Sequence, residues 1–380
     1  PKPSSAASDV YKRQSKDTTA ITVNYQRGGI KKTDTVAVTV RVLASIEITT
    51  PPTKTAYKYG ESFTPAGMVV AARYTDGQSR AVTGYTYSPT GALAAGNTTI
   101  TVSYTEGGVT KTTTQAITVT TINTTLNSNS WATIKAVSDA GKGDNYWDVG
   151  DTKTITINGT VQGFTFSNLS IAVFIIGFNH NSSREGNNRI HFQIGKISNK
   201  LVGLCDSNYG NYVSSGFCMN TEQTNRGGWS NSHMRKTVLG NSGAPSSPPA
   251  NSLLAALPAD LRAVMKSVSK YSDNNGGGSN TASYVTATTD WLFLLAEFEY
   301  HGKQSYANSA EQNYQKQYDY YKAGNSKVHY RHDSTGSAVY AWTRSADSGS
   351  GSLFCLVYTD GTPSYNHADN SRALAPGFWI

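Results

Sequence analysis

Glu297 and Glu299 are the first side chains in this sequence that suggest acid–base chemistry. Two residues apart on a helix, they do not face one another, so a shared proton is not expected and Glu297 reads as a structural partner. His329, His332 and Asp333 carry metal-ligand chemistry. On a strand the two histidines point to opposite faces, and no further ligand follows at suitable spacing, so no metal is expected. The three cysteines, Cys205, Cys218 and Cys355, are too few and odd in number for a disulfide framework. A Cys205–Cys218 bridge and a set of buried thiols both remain open. There is no nucleophile elbow, phosphate loop or HExxH helix. Neither an enzyme nor a cofactor is therefore expected. What remains is binding chemistry, in YTDGTPSYNHADNSR (Tyr358–Arg372) and the preceding turn Asp347–Ser352. Tyr, Asn, Ser, His, Asp and Arg in one short run is the composition of adaptable contact surfaces. The candidate ligand-binding residues are Asp347, Ser350, Tyr358, Thr359, Thr362, Ser364, Tyr365, Asn366, His367, Asp369, Asn370 and Arg372. Arg344 reads instead as a strand residue held by a carboxylate or carbonyl, and Trp342 and Trp379 as core.

Such a surface needs a scaffold, and the length supplies one: 380 residues imply two or three domains. Only 15% of residues are charged, and Thr, Ser, Asn, Gly and 23 Tyr fill the difference, a strand- and loop-rich composition. The net charge of +8 is concentrated in residues 1–42, which hold eight basic and three acidic residues. No basic stripe follows, so nucleic acid is not an expected partner. IAVFIIGF (Ile171–Phe178), the strongest apolar run, has strand length and is too short to cross a membrane. No signal peptide is evident. Residues 1–14 lack periodicity and resemble translated sequencing-adapter read-through, so they are set aside, and the true N-terminus is expected to be missing.

Two stretches repeat at a spacing of 79 residues: Thr18–Val40 and Thr98–Val119 align Ile21 with Ile100, Tyr25 with Tyr104 and Gly28–Gly29 with Gly107–Gly108. Each alternates apolar and polar residues about a Gly-Gly turn, which predicts a β-hairpin. Residues 15–42 are then the end of a truncated repeat and 43–121 a complete one. The complete copy carries Ile46, Ile48, Pro52, Lys54, Tyr57, Gly60, Glu61, Gly67, Met68, Val70, Tyr74, Asp76 and Gly77. In this it resembles the bacterial immunoglobulin-like family, group 3, which implies an all-β sandwich used as a spacer or display module on bacterial surfaces and phage virions.

Residues 122–130 read as a polar linker and 131–380 as an α+β domain. Helices are expected over Leu257–Tyr271, with Leu261, Val264, Met265 and Val268 on one face, and over Asp290–Gly302; Tyr314, Tyr318 and Tyr321 share helical spacing. TTDWLFLLAEFEYHG, the Trp342-x-Arg344-Ser345 strand, the closing Ala375–Phe378 and WSNSHMR (Trp229–Arg235) resemble a domain of unknown function from gut phage and bacterial surface proteins. That resemblance implies a C-type lectin-like fold of the kind diversified by retroelements, in which adenines of template Asn codons are randomised. Lys, Glu, Gln, Met and Trp cannot arise that way, and none of them occurs from Thr343 to Phe378. The expected fold class is thus multidomain, all-β immunoglobulin-like sandwiches followed by an α+β C-type lectin-like domain. The resemblance further implies a virion-surface location, or alternatively a bacterial cell surface. The expected partner is a protein or glycan on a bacterial host; a homo-oligomer within a fibre or virion is compatible, and a purely structural virion role is the alternative.

Overall fold

The Gly-Gly turns behave as their sequence requires. In the computed structural model, which describes residues 20–37, 41–211 and 214–380, β1 (Ala20–Arg27) pairs with β2 (Ile30–Ala37) in antiparallel register. Gly28 and Gly29 both have positive φ, +56° and +80°, as a tight two-residue hairpin turn demands. Residues 1–14, set aside above, lie outside the described residues, as do 15–19 and 38–40 of the first repeat.

The chain divides after Thr121 into two compact units. In the first, β3 (Leu43–Thr50), β5 (Val69–Tyr74) and β6 (Ser79–Val82) form one antiparallel sheet, and β7 (Thr86–Ser88), β8 (Thr99–Glu106) and β9 (Val109–Ala116) another. Short β4 (Ala56–Tyr57) and β10 (Thr118–Val119) pair in parallel. Alternate residues of both sheets, among them Ile46, Val70, Ala72, Ile100 and Val102, build one core. The motif residues have physical work: Tyr57, Met68 and Tyr74 are buried. One oxygen of the Glu61 carboxylate accepts from Lys54 Nζ at 2.8 Å and from the Lys58 amide at 2.9 Å.

The second unit begins earlier than expected. Residues 122–130 are part of it: Leu126 is buried, and Trp147 Nε1 donates to the Asn123 carbonyl at 3.0 Å. Helix α1 (Trp131–Asp139) follows, where no helix was expected. The Ser130 hydroxyl accepts from the Thr133 amide and caps it, while Trp131, Ile134 and Val137 form its buried stripe. Strands β11 (Thr152–Val161), β12 (Phe164–Phe178), β13 (Ile190–Ile197) and β14 (Lys200–Gly203) form the main sheet, continued by β17 (His329–Arg331) and β18 (Ala338–Val339). The last strand, β22 (Gly377–Trp379), returns to pair with β13, setting Phe378 beside Phe192. Trp131 meets both rings edge-on, so the first helix and the last strand of this unit share one core.

Two expected helices shrink for the same reason. Of Leu257–Tyr271, only Ala259–Arg262 is helical; the Lys266 amide donates to Trp379, and Val268–Asp273 becomes β15, paired with β16 (Val285–Asp290). Leu261, Val264, Met265 and Val268 are buried nonetheless. Of Asp290–Gly302, the first half is held extended because Phe293 and Gly377 exchange two backbone hydrogen bonds. The helix is Glu297–His301, ended by Gly302 in the left-handed region at φ +66°. Pairing with the returning C-terminal strand outweighs local helical periodicity in both places.

Candidate functional site

The predicted contact residues fall on a three-stranded meander: β19 (Ala341–Ala346), β20 (Leu353–Val357) and β21 (Pro363–His367). β19 and most of β20 are buried, because Trp342, Phe354, Leu356 and Val357 are core residues. β21 is the outer strand, so a third of the Tyr358–Arg372 stretch is an edge strand. A tight turn joins β20 to β21. The Tyr358 amide donates to the Thr362 carbonyl at 2.8 Å, Gly361 sits at φ +86°, and Asp360 Oδ1 accepts from the Thr362 amide and hydroxyl. Those bonds hold the Asp360 carboxyl below its usual range.

Tyr358 and Tyr365 are 39% and 45% exposed, the two large apolar side chains this unit presents to solvent among the described residues. Thr362 is exposed, and Ser350, Thr359, Ser364, Asn366, His367 and Asp369 are half-buried. Asp347, Asn370 and Arg372 are not surface residues. Asp347 is buried because its carboxylate accepts from the Gly349 amide. Asn370 is fully enclosed, its side chain bonded to Asn366. Arg372 lies inside, Nη1 donating to the Ser371 carbonyl and the guanidinium stacked over Tyr340 and Tyr209. These three frame the surface and do not belong to it.

Several residues that the sequence reading missed complete the face. Tyr340 packs edge-on against Tyr358 at 5.0 Å, and Tyr306 against Tyr365 at 4.8 Å. The Tyr209 hydroxyl accepts from the Tyr340 amide at 2.8 Å, and Arg331, paired with Asp333, lies over the Tyr209 ring. The number of tyrosines hinted at such a surface; their convergence from four separate segments is a property of the fold.

Two buried side chains hold the meander's loops still. Asn225 Nδ2 donates to the carbonyls of Asp347, Ser350 and Leu353, and its Oδ1 accepts from the Gly277 amide. The stretch DNNGGGSN (Asp273–Asn280) is the wall of this clamp: a Cβ on Gly276 would stand 2.0 Å from the Asn225 carbonyl oxygen. Asp206 does the same for the return segment, accepting from the Ser371 hydroxyl at 2.6 Å and the Phe217 amide at 2.7 Å.

With both units described, the chain can be set against known families. Residues 50–120 match the bacterial Ig-like domain, group 3. Residues 210–380 match the domain of unknown function DUF6273. No curated protein matches the chain. The DUF6273 match takes in the meander and its clamps; the second compact unit starts well before it, so β11–β14 lie outside the matched segment. The motif aspartate Asp290 of the DUF6273 segment joins two of the quoted motifs, accepting from Trp229 Nε1 at 2.8 Å and Arg235 Nε at 2.6 Å.

Beneath the meander of the DUF6273 segment lies a buried ionic network. Arg344 forks onto both oxygens of Glu299, donates from Nε to Ser272 Oγ at 2.8 Å and from Nη1 to the Leu294 carbonyl at 2.9 Å. Lys270 Nζ touches Glu185 at 2.9 Å, Glu299 at 3.1 Å and the Tyr318 hydroxyl at 2.8 Å. Burial pushes the Glu185 carboxyl up to about 7, beyond what Lys270 restores. Burial also acts on Glu299, but Arg344 and Lys270 outweigh it and hold that carboxyl low. Glu311, bonded to the Ser345 hydroxyl and the Asp273 amide, is raised by burial to about 7. Glu297 accepts from the amides of Ser305, Tyr306 and Ala307, a structural partner as expected.

His180, Glu185 and Glu299 bring three metal-type ligand atoms within 4.8 Å of one another. Lys270 Nζ already bridges the two carboxylates, so the protein supplies its own cation there. His180, stacked on Tyr318 at 3.8 Å, also lines an open cavity of about 500 Å³ with Asn179, Asn181 and Gln317. His329 and His332 are apart in function as in direction: the first meets the Tyr300 hydroxyl, and Nδ1 of the second accepts from the Cys205 amide. All three cysteines are buried and unbridged, which settles the thiol alternative, and burial pushes Cys205 and Cys218 to about 12.

Proposed function

We propose that the chain is a recognition protein in which Ig-like units act as a spacer and the α+β unit, of the C-type lectin-like class, binds a protein or glycan on a bacterial host cell. Its place is a phage virion or a bacterial surface. The observation that carries this reading is the pair of solvent-facing tyrosines, Tyr358 and Tyr365, each braced by a second tyrosine on a meander whose flanking loops are fixed from below. Rigid aromatic side chains give large contact area at small entropic cost. The paratope consists of Tyr358, Thr359, Thr362, Ser364, Tyr365, Asn366, His367 and Asp369, with Ser350 at its margin. Retroelement-type variation fits the missing Lys, Glu, Gln, Met and Trp between Thr343 and Phe378. On this reading it acts at the exposed and half-buried positions, while Asp347, Asn370 and Arg372 are constrained by their packing.

The test uses the purified full chain, fluorescently labelled, on a panel of gut bacterial cells. Tyr358→Ala with Tyr365→Ala should weaken binding by about 30-fold or more, the loss of two aromatic anchors, with the melting temperature unchanged. Binding that survives the double substitution overturns the assignment of this face.

A further inference from the structure

The network around Lys270 has the composition of a reaction centre as well as of a salt bridge. Lys270 and Glu299 are fully enclosed and Glu185 nearly so. The Phe293 ring covers Nζ at 4.2 Å and the Tyr318 hydroxyl closes another side. Nζ is in hydrogen-bond contact with one oxygen of Glu185, at 2.9 Å. The other oxygen, Glu185 Oε2, is buried with no hydrogen-bond partner. A second carboxylate, Glu299, touches the same nitrogen at 3.1 Å, and Arg344 and the Ala296 amide pin it in place.

The charges make the case sharper. Two cations, Lys270 and Arg344, face two carboxylates, Glu185 and Glu299, in the buried interior. Burying ions is costly even when they are paired. Removing one Lys–Glu pair as a neutral amide leaves the forked Arg344–Glu299 pair balanced, with no stranded charge. Fixed contact between amine and carboxyl supplies the proximity that such condensation lacks in water.

We propose that Lys270 and Glu185 condense into an intramolecular amide, with Glu299 as the proton carrier. A proton passes from Nζ to the Glu185 carboxylate across their hydrogen bond, the freed amine attacks the carboxyl carbon and a C–N bond forms. Glu299 takes the proton released from nitrogen and returns it to the Glu185 hydroxyl. The C–O bond breaks, and one water leaves; nothing is oxidised or reduced. The product ties helix α2 (Ser182–Glu185) covalently to β15. It thereby links the part of the unit outside the DUF6273 match to the part within it. A cross-link of this kind restricts the unfolded chain as a disulfide does, in a unit whose cysteines form no bridge.

Intact-mass spectrometry of the denatured full chain decides the matter. The expected mass is one water below that of the sequence, with a protease digest yielding a branched peptide that carries both Lys270 and Glu185. Lys270→Met and Glu299→Gln should each return the mass to that of their own sequences. A folded protein at full sequence mass overturns the proposal, whether or not the variants fold. So does a missing water located at an Asp-Gly succinimide, such as Asp76-Gly77 or Asp360-Gly361, or at any other site.

Discussion

Arg344→Met is the substitution that tests the second unit's interior most directly. Methionine keeps much of the side-chain volume but removes the fork onto Glu299 and the bonds to Ser272 and Leu294. Glu299 is left buried with Lys270 and the Ala296 amide as partners. Breaking a buried ion pair by deleting one member costs about 3–5 kcal/mol. Orphaning the Leu294 carbonyl adds about 1 kcal/mol or more. Where Lys270 is consumed in an amide, Arg344 is the one cation left to Glu299 and the cost goes to the upper end. The whole stability of such a unit is about 5–15 kcal/mol, so the variant should lose roughly a quarter of it or more. All six tryptophans, Trp131 to Trp379, lie in the second unit, so their fluorescence reports its unfolding without interference from the Ig-like domain. With a slope of about 2–3 kcal/mol per molar urea, the midpoint should fall by roughly 1–3 M. Adding Glu299→Leu should recover at least about 2 kcal/mol relative to additivity, because the stranded carboxylate is gone. A single-variant loss below about 1 kcal/mol, or strict additivity in the double variant, refutes the account of this network.

Three further outcomes follow from the same structure. Burial depresses His180 and His329 to about 3 and His301 to about 4, from 6.5, so the unfolded chain takes up protons first and stability is lost as pH falls from about 6.5 toward 3. Glu185 and Glu311, raised to about 7, oppose this between about 7 and 4.5, where the folded form holds their protons, and an amide at Glu185 would remove one of these offsets. Urea midpoints should therefore fall between pH 6.5 and 4.5 and fall faster below it; a flat or rising profile contradicts the burial of these rings. Asn225→Ala strands three loop carbonyls and the Gly277 amide, and should cost about 2–4 kcal/mol while raising hydrogen exchange in residues 347–353; exchange unchanged there removes the clamp. Cys205, Cys218 and Cys355, buried with raised thiols, should resist iodoacetamide in the folded protein and react together on unfolding; alkylation of any one in native buffer contradicts its placement.

The legible parts of this molecule are those governed by local rules. Gly28–Gly29 and Gly107–Gly108 announce their hairpins because few other residues take consecutive positive φ. The buried strand Ile171–Phe178 and the core roles of Trp342 and Trp379 follow from apolar density alone. The illegible parts depend on pairing with distant chain. Leu261–Val268 has a helical stripe, yet the helix stops at Arg262 and the chain pairs from Lys266 on, where residue 379 offers it a hydrogen bond. Asn370 and Arg372 look like surface chemistry by type and are interior because residues 206–211 and 214–217 bond to the chain around them. Lys270, Glu185 and Glu299 are separated by 85 and 29 residues, and nothing at those positions reveals that they meet.

That separation bears on how a variable surface can be carried at all. A protein tolerates changed contact residues only if their own interactions contribute little to its stability. The exposed and half-buried positions of the turn and of β21 satisfy this: Tyr358, Thr362 and Tyr365 contribute rings and hydroxyls at the solvent boundary. Strand pairing holds β21 through backbone atoms, which any side chain except proline supplies at most positions. The costly interactions come from elsewhere: Arg344 and Glu299, Lys270 and Glu185, Asn225 and Asp206 all lie outside the 358–372 stretch. On the proposed recognition role, stability and binding fall to different residues of one unit. Under that division, substitutions at Tyr358 or Tyr365 should alter binding while leaving the urea midpoint nearly where it was, and those at Asn370 or Arg372 should do the reverse.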